Sequence, residues 1–162
     1  MEIKELLQQK LKEQFPETDF EFSEFREELT IKFPKEKVVE ISSFLKSDTE
    51  LEFIQCSDVT AIDWAKRKNR FTIVYNIYSF KNDFRLRLKA DVDESDCSID
   101  SVSLVWKAAN WQERETYDMY GINFNGHPDL RRMYMPEDFE HYPLRKDFPL
   151  LGIPGSLPLP KK

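Results

Sequence analysis

Acidic and basic side chains crowd the stretch WQERETYDMYGINFNGHPDLRRMYMPEDF, residues 111–139, among aromatic residues and very few aliphatic ones. Carboxylates close in sequence can act as general acid and base, and Glu113 with Glu115 or Glu137 with Asp138 supply such pairs. No nucleophile, phosphate-binding loop or glycine-rich turn accompanies them. A stand-alone enzyme built on these carboxylates is therefore an alternative hypothesis that lacks a complete catalytic set.

Two histidines in the same region are candidates for metal binding or proton transfer. His127 lies in NGHPD and His141 in FEHYP, so neither belongs to an HxxxH or HExxH motif. Both are close to prolines in extended chain, where a structural hydrogen bond is the commoner role. We predict no catalytic residue, no cofactor-binding residue and no metal ligand on this chain.

Opposite charges alternate along this region instead of segregating by sign. Arg114 and Asp118 are four residues apart and are predicted to pair along one side of a helix. Tryptophan, tyrosine and arginine are enriched at the energetic centres of protein interfaces. Mixed signs disfavour a phosphate-binding patch and favour ion pairing across a protein–protein interface.

The whole-chain composition excludes several classes of function. With 162 residues, 40% of them hydrophobic, the chain is long enough for one domain with a core. A net charge of −6 argues against nucleic acid as a partner, because nonspecific binding needs an excess of Lys and Arg.

Cysteine usage and hydropathy exclude others. Cys56 and Cys97 cannot hold an iron–sulfur cluster by themselves, since a cluster needs about four thiolates, and we expect free thiols in preference to a disulfide. No uncharged apolar run approaches the roughly 20 residues that span a bilayer, and the start lacks the apolar region of a signal peptide. We expect a cytosolic chain that meets a membrane only through a partner.

Hydrophobic periodicity predicts an α+β fold. Apolar residues at helical spacing predict a first helix up to Phe15 and a second one from Pro34 to about Leu45. Alternating residues predict strands at 20–25, 29–33, 51–57, 71–80 and 84–92, with the first two forming a hairpin. Because the strands come in runs, we predict a mixed or antiparallel sheet with helices packed on one face.

Two segments leave alternatives open. The strand at 84–92 alternates cleanly, with Arg85, Arg87 and Lys89 on one face. This basic face could bind an anion, but such a row more often marks a solvated edge strand. Residues 98–106 form either a last strand or the entry to the next helix.

The predicted charged helix, residues 110–121, separates a domain at 1–109 from an arm at 122–162. Asn110 is a good N-cap with Glu113 as its capping-box partner, and Gly121 is a natural residue for the end of the helix. Seven of the nine prolines follow, so we predict an extended Pro-rich arm. Because the arm is too apolar for a solvated linker, we expect it to bind a partner.

At this point the sequence resembles a known family. The segment ANWQERETYDMYGINFNGHPDLRRMYMPEDF, followed by PLRKDFP, looks like the signature of the 30-kilodalton-type subunit of NADH–quinone oxidoreductase, respiratory complex I. VTAIDW (59–64) and VYNIYS (74–79) resemble that family more weakly. The long signature is the specific part of the match.

The resemblance implies a role without redox chemistry on this chain. NADH, FMN, iron–sulfur clusters and quinone would be bound by partner subunits in the peripheral arm. The C-terminal helix and arm would clamp the subunit that forms much of the quinone pocket, beside iron–sulfur subunits, on the cytoplasmic side of the cell membrane and without direct insertion. The positions that match the motif, and that we expect to contact partners, are Trp111, Glu113, Arg114, Glu115, Asp118, Arg131, Arg132, Arg145, Lys146 and Asp147.

One departure and one alternative qualify this resemblance. The family usually reads Glu-Gly-His-Pro before Leu-Arg-Lys-Asp, whereas here Glu140 is followed by His141, Tyr142 and Pro143. A strained turn or a histidine role at that place is therefore not carried over. Membrane-bound hydrogenases and ferredoxin-linked oxidoreductases carry similar subunits, so a place in one of those complexes is an alternative.

Overall fold

Helices pack on one face of a five-stranded mixed sheet in the computed structural model, which describes residues 2–149 and residue 152. The predicted α+β class is confirmed. None of the helices in these residues combines the length and the apolar character that crossing a bilayer requires. The elements are α1 (Ile3–Gln14), β1 (Glu21–Phe25), β2 (Glu28–Lys32), α2 (Val38–Ser47), β3 (Gln55–Asp63), β4 (Phe71–Ser79), β5 (Phe84–Val92), β6 (Ser98–Asp100), α3 (Ala109–Tyr120) and β7 (Asn123–Asn125).

The sheet combines a hairpin with a three-stranded meander. Its strand order is β1-β2-β5-β4-β3, and within the meander β4 is antiparallel to both β3 and β5. The hairpin β1–β2 joins the meander through a parallel pairing of β2 with β5, in which Ile31 is opposite Leu88. The short strands β6 and β7 form a separate parallel pair beside α3.

The core lies between the sheet and the helices. Strand alternation places Ile31, Ile73 and Leu88 on the covered face, where they join Leu7 of α1 and Ile41 of α2 in one buried cluster. Full burial of each such side chain contributes roughly 1.5–3 kcal/mol. The opposite face of the sheet carries mainly polar side chains from β4 and β5.

Two strand predictions need correction. Residues 51–54 do not belong to β3, which begins at Gln55 and runs through VTAID. Leu51 and Phe53 imitate strand alternation because both are buried, but they lie beside a turn fixed by the Asp48 carboxylate. Strand β5 is not an edge strand, since β2 and β4 flank it. Its basic row lies on the polar face of the sheet, where Arg87 pairs with Glu28.

For α3, the predicted N-cap is wrong, whereas the predicted end of the helix at Gly121 is confirmed. The helix begins at Ala109, so Asn110 lies inside it, and Glu113 accepts hydrogen bonds from residues 101 and 102 instead of completing a capping box. Gly121 ends the helix with φ +75°, and its N–H donates to the Tyr117 carbonyl. Residues 98–106 contribute β6 and a loop.

The extended partner-binding arm predicted at 122–162 is not confirmed, because residues 126–149, which we call the return segment, contact their own chain. They fold back over α3, and the Leu144 N–H donates to the Met119 carbonyl at 3.1 Å. Residues 122–125 are likewise integrated, through β7. The predicted arm also includes residues 150, 151 and 153–162, which lie outside the described residues.

Two glycines offer a matched test of this folding back. A Cβ at Gly121 would come within 2.6 Å of the Tyr142 ring, whereas a Cβ at Gly126, which has the same φ of +75°, would meet nothing within 4 Å. We expect Gly126→Ala to lower the free energy of unfolding by about 1 kcal/mol through backbone strain alone. Gly121→Ala should lower it by at least about 1 kcal/mol more, because the ring must also move. Equal losses in urea unfolding of the two variants would contradict the close approach of Tyr142.

Candidate functional site

Helix α3 lies between the edge of the main sheet and the return segment. Strand β3 would otherwise expose unpaired backbone groups along its outer edge. The Thr116 hydroxyl donates to the Val59 carbonyl at 3.1 Å, and the Gln112 side-chain amide donates to the Ser57 carbonyl at 2.9 Å. Polar side chains of α3 thus cover the edge that a further strand would otherwise occupy.

Charged side chains on the other side of α3 bind the backbone of the return segment. Asp118 Oδ2 accepts hydrogen bonds from the successive N–H groups of Met133, Tyr134 and Met135, at 2.9, 2.7 and 3.0 Å. Arg132 Nη1 donates to Asp118 Oδ1 at 2.8 Å. The Arg114 guanidinium donates to backbone carbonyls of residues 131 and 132. We call these contacts the first attachment.

The first attachment suits an ionised carboxylate. Burial alone raises the pKa of Asp118, but the three amide donors and Arg132 outweigh burial and hold that pKa below its usual range. Such charge-assisted hydrogen bonds are roughly twice as strong as neutral ones. The carboxylate therefore fixes the position of three consecutive residues at once.

A second attachment holds the end of the return segment to the sheet. Arg70 makes a two-pronged contact with Asp63, at 3.0 Å from Nε and 2.9 Å from Nη2. The same carboxylate accepts the Lys146 N–H at 2.7 Å, and Arg70 Nη1 lies 3.0 Å from Asp147. Burial raises the pKa of Asp63, but Arg70 and the backbone donors outweigh it and lower that pKa to about 2.

Tyr142 and Arg145 close the space between the two attachments. The Arg145 Nε donates to the Tyr120 carbonyl at 2.6 Å, and its guanidinium lies 4.7 Å from the centre of the Tyr142 ring. The Arg132 guanidinium lies 5.1 Å from the same ring. A cation near an aromatic ring at this distance contributes about 0.5–1 kcal/mol. Two cationic side chains thus hold the Tyr142 ring against the end of α3.

Glu113 and His127 meet beneath the start of α3. Both side chains are completely buried, and 3.9 Å separates His127 Nε2 from Glu113 Oε2. Glu113 accepts hydrogen bonds from the Ser101 hydroxyl at 2.5 Å and the Val102 N–H at 2.7 Å. Burial outweighs these donors and raises the pKa of Glu113 to about 7. His127 Nδ1 accepts the Asp129 N–H, so Nε2 can donate to the Asn110 carbonyl.

Similarity to known proteins decides the family. Residues 31–153 match the family model of the respiratory-chain NADH dehydrogenase 30 Kd subunit. The chain belongs to this subunit family. It is 54% identical over 144 residues to the NADH-quinone oxidoreductase C subunit of Geobacter sulfurreducens, covering 88% of each chain. It is 43% identical over 132 residues to the mitochondrial 30.4 kDa subunit of NADH-ubiquinone oxidoreductase of Neurospora crassa, covering 82% of this chain and 46% of that protein.

Solved structures agree with the fold of this subunit family. A trypsin-resistant fragment of Nqo5 matches with a TM-score of 0.64 and 27% identity, over 80% of this chain and all of that one. A chain of an archaeal respiratory membrane complex, the membrane-bound sulfane sulfur reductase, matches with a TM-score of 0.75 and 24% identity, over 91% of this chain and 86% of that one. The second likeness shows the fold alone.

The predicted contact residues of this family member divide into internal and external groups. Glu113, Arg114 and Asp118 are buried, and all three contact their own chain. Arg114 and Asp118 bind the return segment separately, so the predicted pairing between them is wrong: Arg132 supplies the cation for Asp118. Arg132, in the first attachment, and Arg145, between the two attachments, are half-buried. The exposed members are Trp111, Glu115, Arg131, Lys146 and Asp147.

Sequence reasoning missed Asp63, Arg70, Ser101 and the structural use of Tyr142. Asp63 lies within VTAIDW, a segment that resembles the family, and Arg70 follows a charged loop. A buried strand that ends in an acid and is followed by an arginine is a weak signal for an internal ion pair. In the described residues Cys56 and Cys97 are free thiols, as predicted, and no group of three or more potential metal ligands is found there.

The first attachment can be tested in the isolated chain. We expect Asp118→Ala to lower the free energy of unfolding by about 3 kcal/mol, because three amides and Arg132 lose their acceptor. Hydrogen exchange at Met133, Tyr134 and Met135, protected in the parent chain, should become fast. The exposed Glu115→Ala, one turn away on α3, is the control and should change stability by no more than about 0.5 kcal/mol. Fast exchange of those amides in the parent chain would contradict the attachment.

The second attachment predicts a defined acid response. Because the pKa of folded Asp63 is about 2 and its ordinary value is 3.8, the ionised form stabilises the folded state above about pH 4. This contribution, about 2 kcal/mol, is lost as the pH falls toward 2. The stability difference between the parent chain and Asp63→Asn, measured by urea unfolding at several pH values, should shrink over that window. The exposed Glu17→Gln variant should follow the parent chain, and a difference independent of pH would contradict the ionised pair.

Proposed function

We propose that the chain is a non-redox scaffold subunit of the peripheral arm of a proton-translocating NADH–quinone oxidoreductase. It docks the quinone-pocket subunit through the outer side of α3 and the return segment, with iron–sulfur subunits as further neighbours. The Geobacter relatives, which are NADH-quinone oxidoreductase subunits, support this role through their identity and coverage. The observation that carries the docking proposal is a set of exposed aromatic and charged residues on a segment whose backbone is held from within.

The outer surface has the composition of an interface. Trp111, Tyr134 and Leu144 are 61%, 59% and 50% exposed, and each lies on α3 or on the return segment that is bound to it. Glu115 lies one turn after Trp111 on the same side of α3, and Arg131 is exposed at the start of the first attachment. Aromatic residues surrounded by exposed charges fit a partner surface that contributes apolar pockets and complementary ions.

The contacts between α3 and the return segment support docking through an ordered surface. Arg114 and Asp118 use their charges on the return segment, so that segment reaches a partner already ordered. A preordered surface loses less conformational entropy on binding than a flexible one. The exposed residues are then available for recognition without a folding step.

Redox centres are assigned to partner subunits in this proposal. NADH, FMN, iron–sulfur clusters and quinone bind elsewhere in the complex, and this chain holds their subunits at fixed distances. The donor set of the chain supports this view. The chain has two cysteines, Cys56 and Cys97, whereas an iron–sulfur cluster needs about four thiolates. In this proposal the chain lies on the cytoplasmic side of the membrane, attached through its partners.

The geometry gives less support to a stand-alone enzyme. Glu113 and His127, the acid–base pair that such an enzyme would use, are completely buried, with their polar atoms turned toward backbone and serine partners. A catalytic pair has to reach a substrate in a cleft. The placement in a hydrogenase- or ferredoxin-linked complex has no observation of its own in its favour.

Docking can be tested by separating recognition from stability. We expect the double variant Trp111→Ala with Glu115→Lys to bind the purified quinone-pocket subunit at least about tenfold more weakly, because an exposed aromatic contact is lost and a charge is reversed. Its free energy of unfolding should stay within about 0.5 kcal/mol of the parent chain, since both residues are exposed.

Leu104→Ala provides the control for that experiment. Leu104 is 85% exposed, on the loop after β6, and is not part of the proposed surface. Its binding should equal that of the parent chain. Unchanged affinity in the double variant would place the partner surface elsewhere, and equal losses in both variants would show that the effect is not specific to α3.

A further inference from the structure

A chain of hydroxyl groups connects the buried Glu113 carboxyl to the loop after β6. Ser101 Oγ lies 2.5 Å from Glu113 Oε2 and 2.7 Å from Ser103 Oγ, and it also accepts the Ser103 N–H at 3.1 Å. The other carboxyl oxygen, Oε1, accepts the Val102 N–H. A serine hydroxyl has one donor and two acceptor positions, so these contacts can be checked for each protonation state.

All donors and acceptors are satisfied when Glu113 is ionised. Ser101 then donates its proton to Glu113 Oε2. Its two lone pairs accept the N–H and the hydroxyl proton of Ser103. The Val102 N–H binds the remaining carboxylate oxygen.

The same heavy-atom positions keep the Glu113 carboxyl and Ser101 hydrogen-bonded when Glu113 is protonated, while the Ser103 hydroxyl hydrogen turns away from Ser101. The carboxyl O–H now donates to Ser101 Oγ, which still accepts the Ser103 N–H. Ser101 turns its own proton toward Ser103 Oγ, 2.7 Å away. Oε1 remains an acceptor for the Val102 N–H. Only hydroxyl orientations differ between the two states, which is uncommon because a buried acid usually suits one charge state at the expense of the other.

We propose that Glu113, Ser101 and Ser103 form a buried proton-binding site, in which Glu113 takes up and releases one proton while the two hydroxyls reverse their direction of donation. The proton comes from bulk water and returns to it. Ser101 and Ser103 are 8% and 6% exposed, so the hydroxyl chain ends just beneath the surface. Burial, which raises the pKa of Glu113 to about 7, brings this exchange near neutral pH.

Other titratable groups face the site from each neighbouring element. His127, after β7, lies 3.9 Å from Oε2 and is held by Asn110 and Asp129. Tyr75 of β4 and Cys56 of β3 are buried near Glu113, and proximity to its charge adds to burial in raising the pKa of each. Both therefore stay protonated while Glu113 titrates. Asp100, at the end of β6, is exposed.

Carbon-13 NMR of the full chain, labelled at glutamate side-chain carboxyls, tests the proposal. The resonance that disappears in Glu113→Gln identifies Glu113, and its midpoint should lie near pH 7. Ser103→Ala should lower this midpoint by about half a pH unit or more, because the protonated state leaves the Ser101 hydroxyl without an acceptor. Ser103→Thr keeps the hydroxyl and should restore the midpoint.

Ser101→Ala should move the midpoint in the opposite direction. It removes a donor from the charged form, and hydrogen bonds to charged groups are the stronger ones, so the protonated form gains and the midpoint rises. Opposite shifts from neighbouring serines distinguish the hydroxyl chain from burial alone, which predicts no effect of Ser103. Should Ser101→Ala fail to fold, the Ser103→Ala and Ser103→Thr pair decides the question.

Three results would overturn the site. The first is a Glu113 resonance that stays ionised down to pH 5. The second is a Ser103→Ala midpoint that is unchanged or raised. The third is uptake of the proton by the His127 ring while Glu113 stays ionised. Proton spectra of the same samples would show this as a titration of the His127 ring.

Discussion

The carboxylate of Asp118 is the contact on which the arrangement of the C-terminal third depends. One oxygen binds three successive amides, and the other binds Arg132, so a single side chain fixes a stretch of backbone that has no regular secondary structure. Backbone donors without strand or helix partners must otherwise be left to water. Asp118 supplies the missing acceptor from a rigid helix, and the proline-rich return segment becomes ordered without forming a ladder.

The two attachments work at the two ends of the same segment. Asp118 holds its first half to α3, while Asp63 and Arg70 hold its last residues to the end of β3. Between them, Tyr142 lies against Gly121, where any side chain would collide with its ring. Helix α3 in turn covers the edge of β3, so the sheet contacts the helix and the helix contacts the return segment.

The position of α3 between the sheet edge and the return segment explains why a helix with so many charges is stable within a small domain. Some of its charged residues bind the return segment, Glu113 binds the hydroxyl chain of the loop after β6, and the others are exposed to solvent on the outer side. Each buried charge or acid therefore has polar partners, which a buried ionisable group requires. The outer residues, with Trp111 foremost, remain free for the partner surface proposed for this member of the 30-kilodalton subunit family.

Local pattern was sufficient to predict α1, α2, the hairpin, strands β4 and β5 and the helix end at Gly121, because periodicity and turn chemistry act between near neighbours in sequence. It misplaced β3, because the buried Leu51 and Phe53 produce the same alternation as a strand. The signature around α3 also indicated the family. Strand order is a different matter: nothing local places β5 between β2 and β4, so its basic row resembled an edge strand. The hydrogen-bond partners of Arg114, Asp118 and Glu113 were likewise decided by tertiary structure. A charged side chain on a helix pairs with the segment that packs against it, and contacts distant in sequence determine which segment that is.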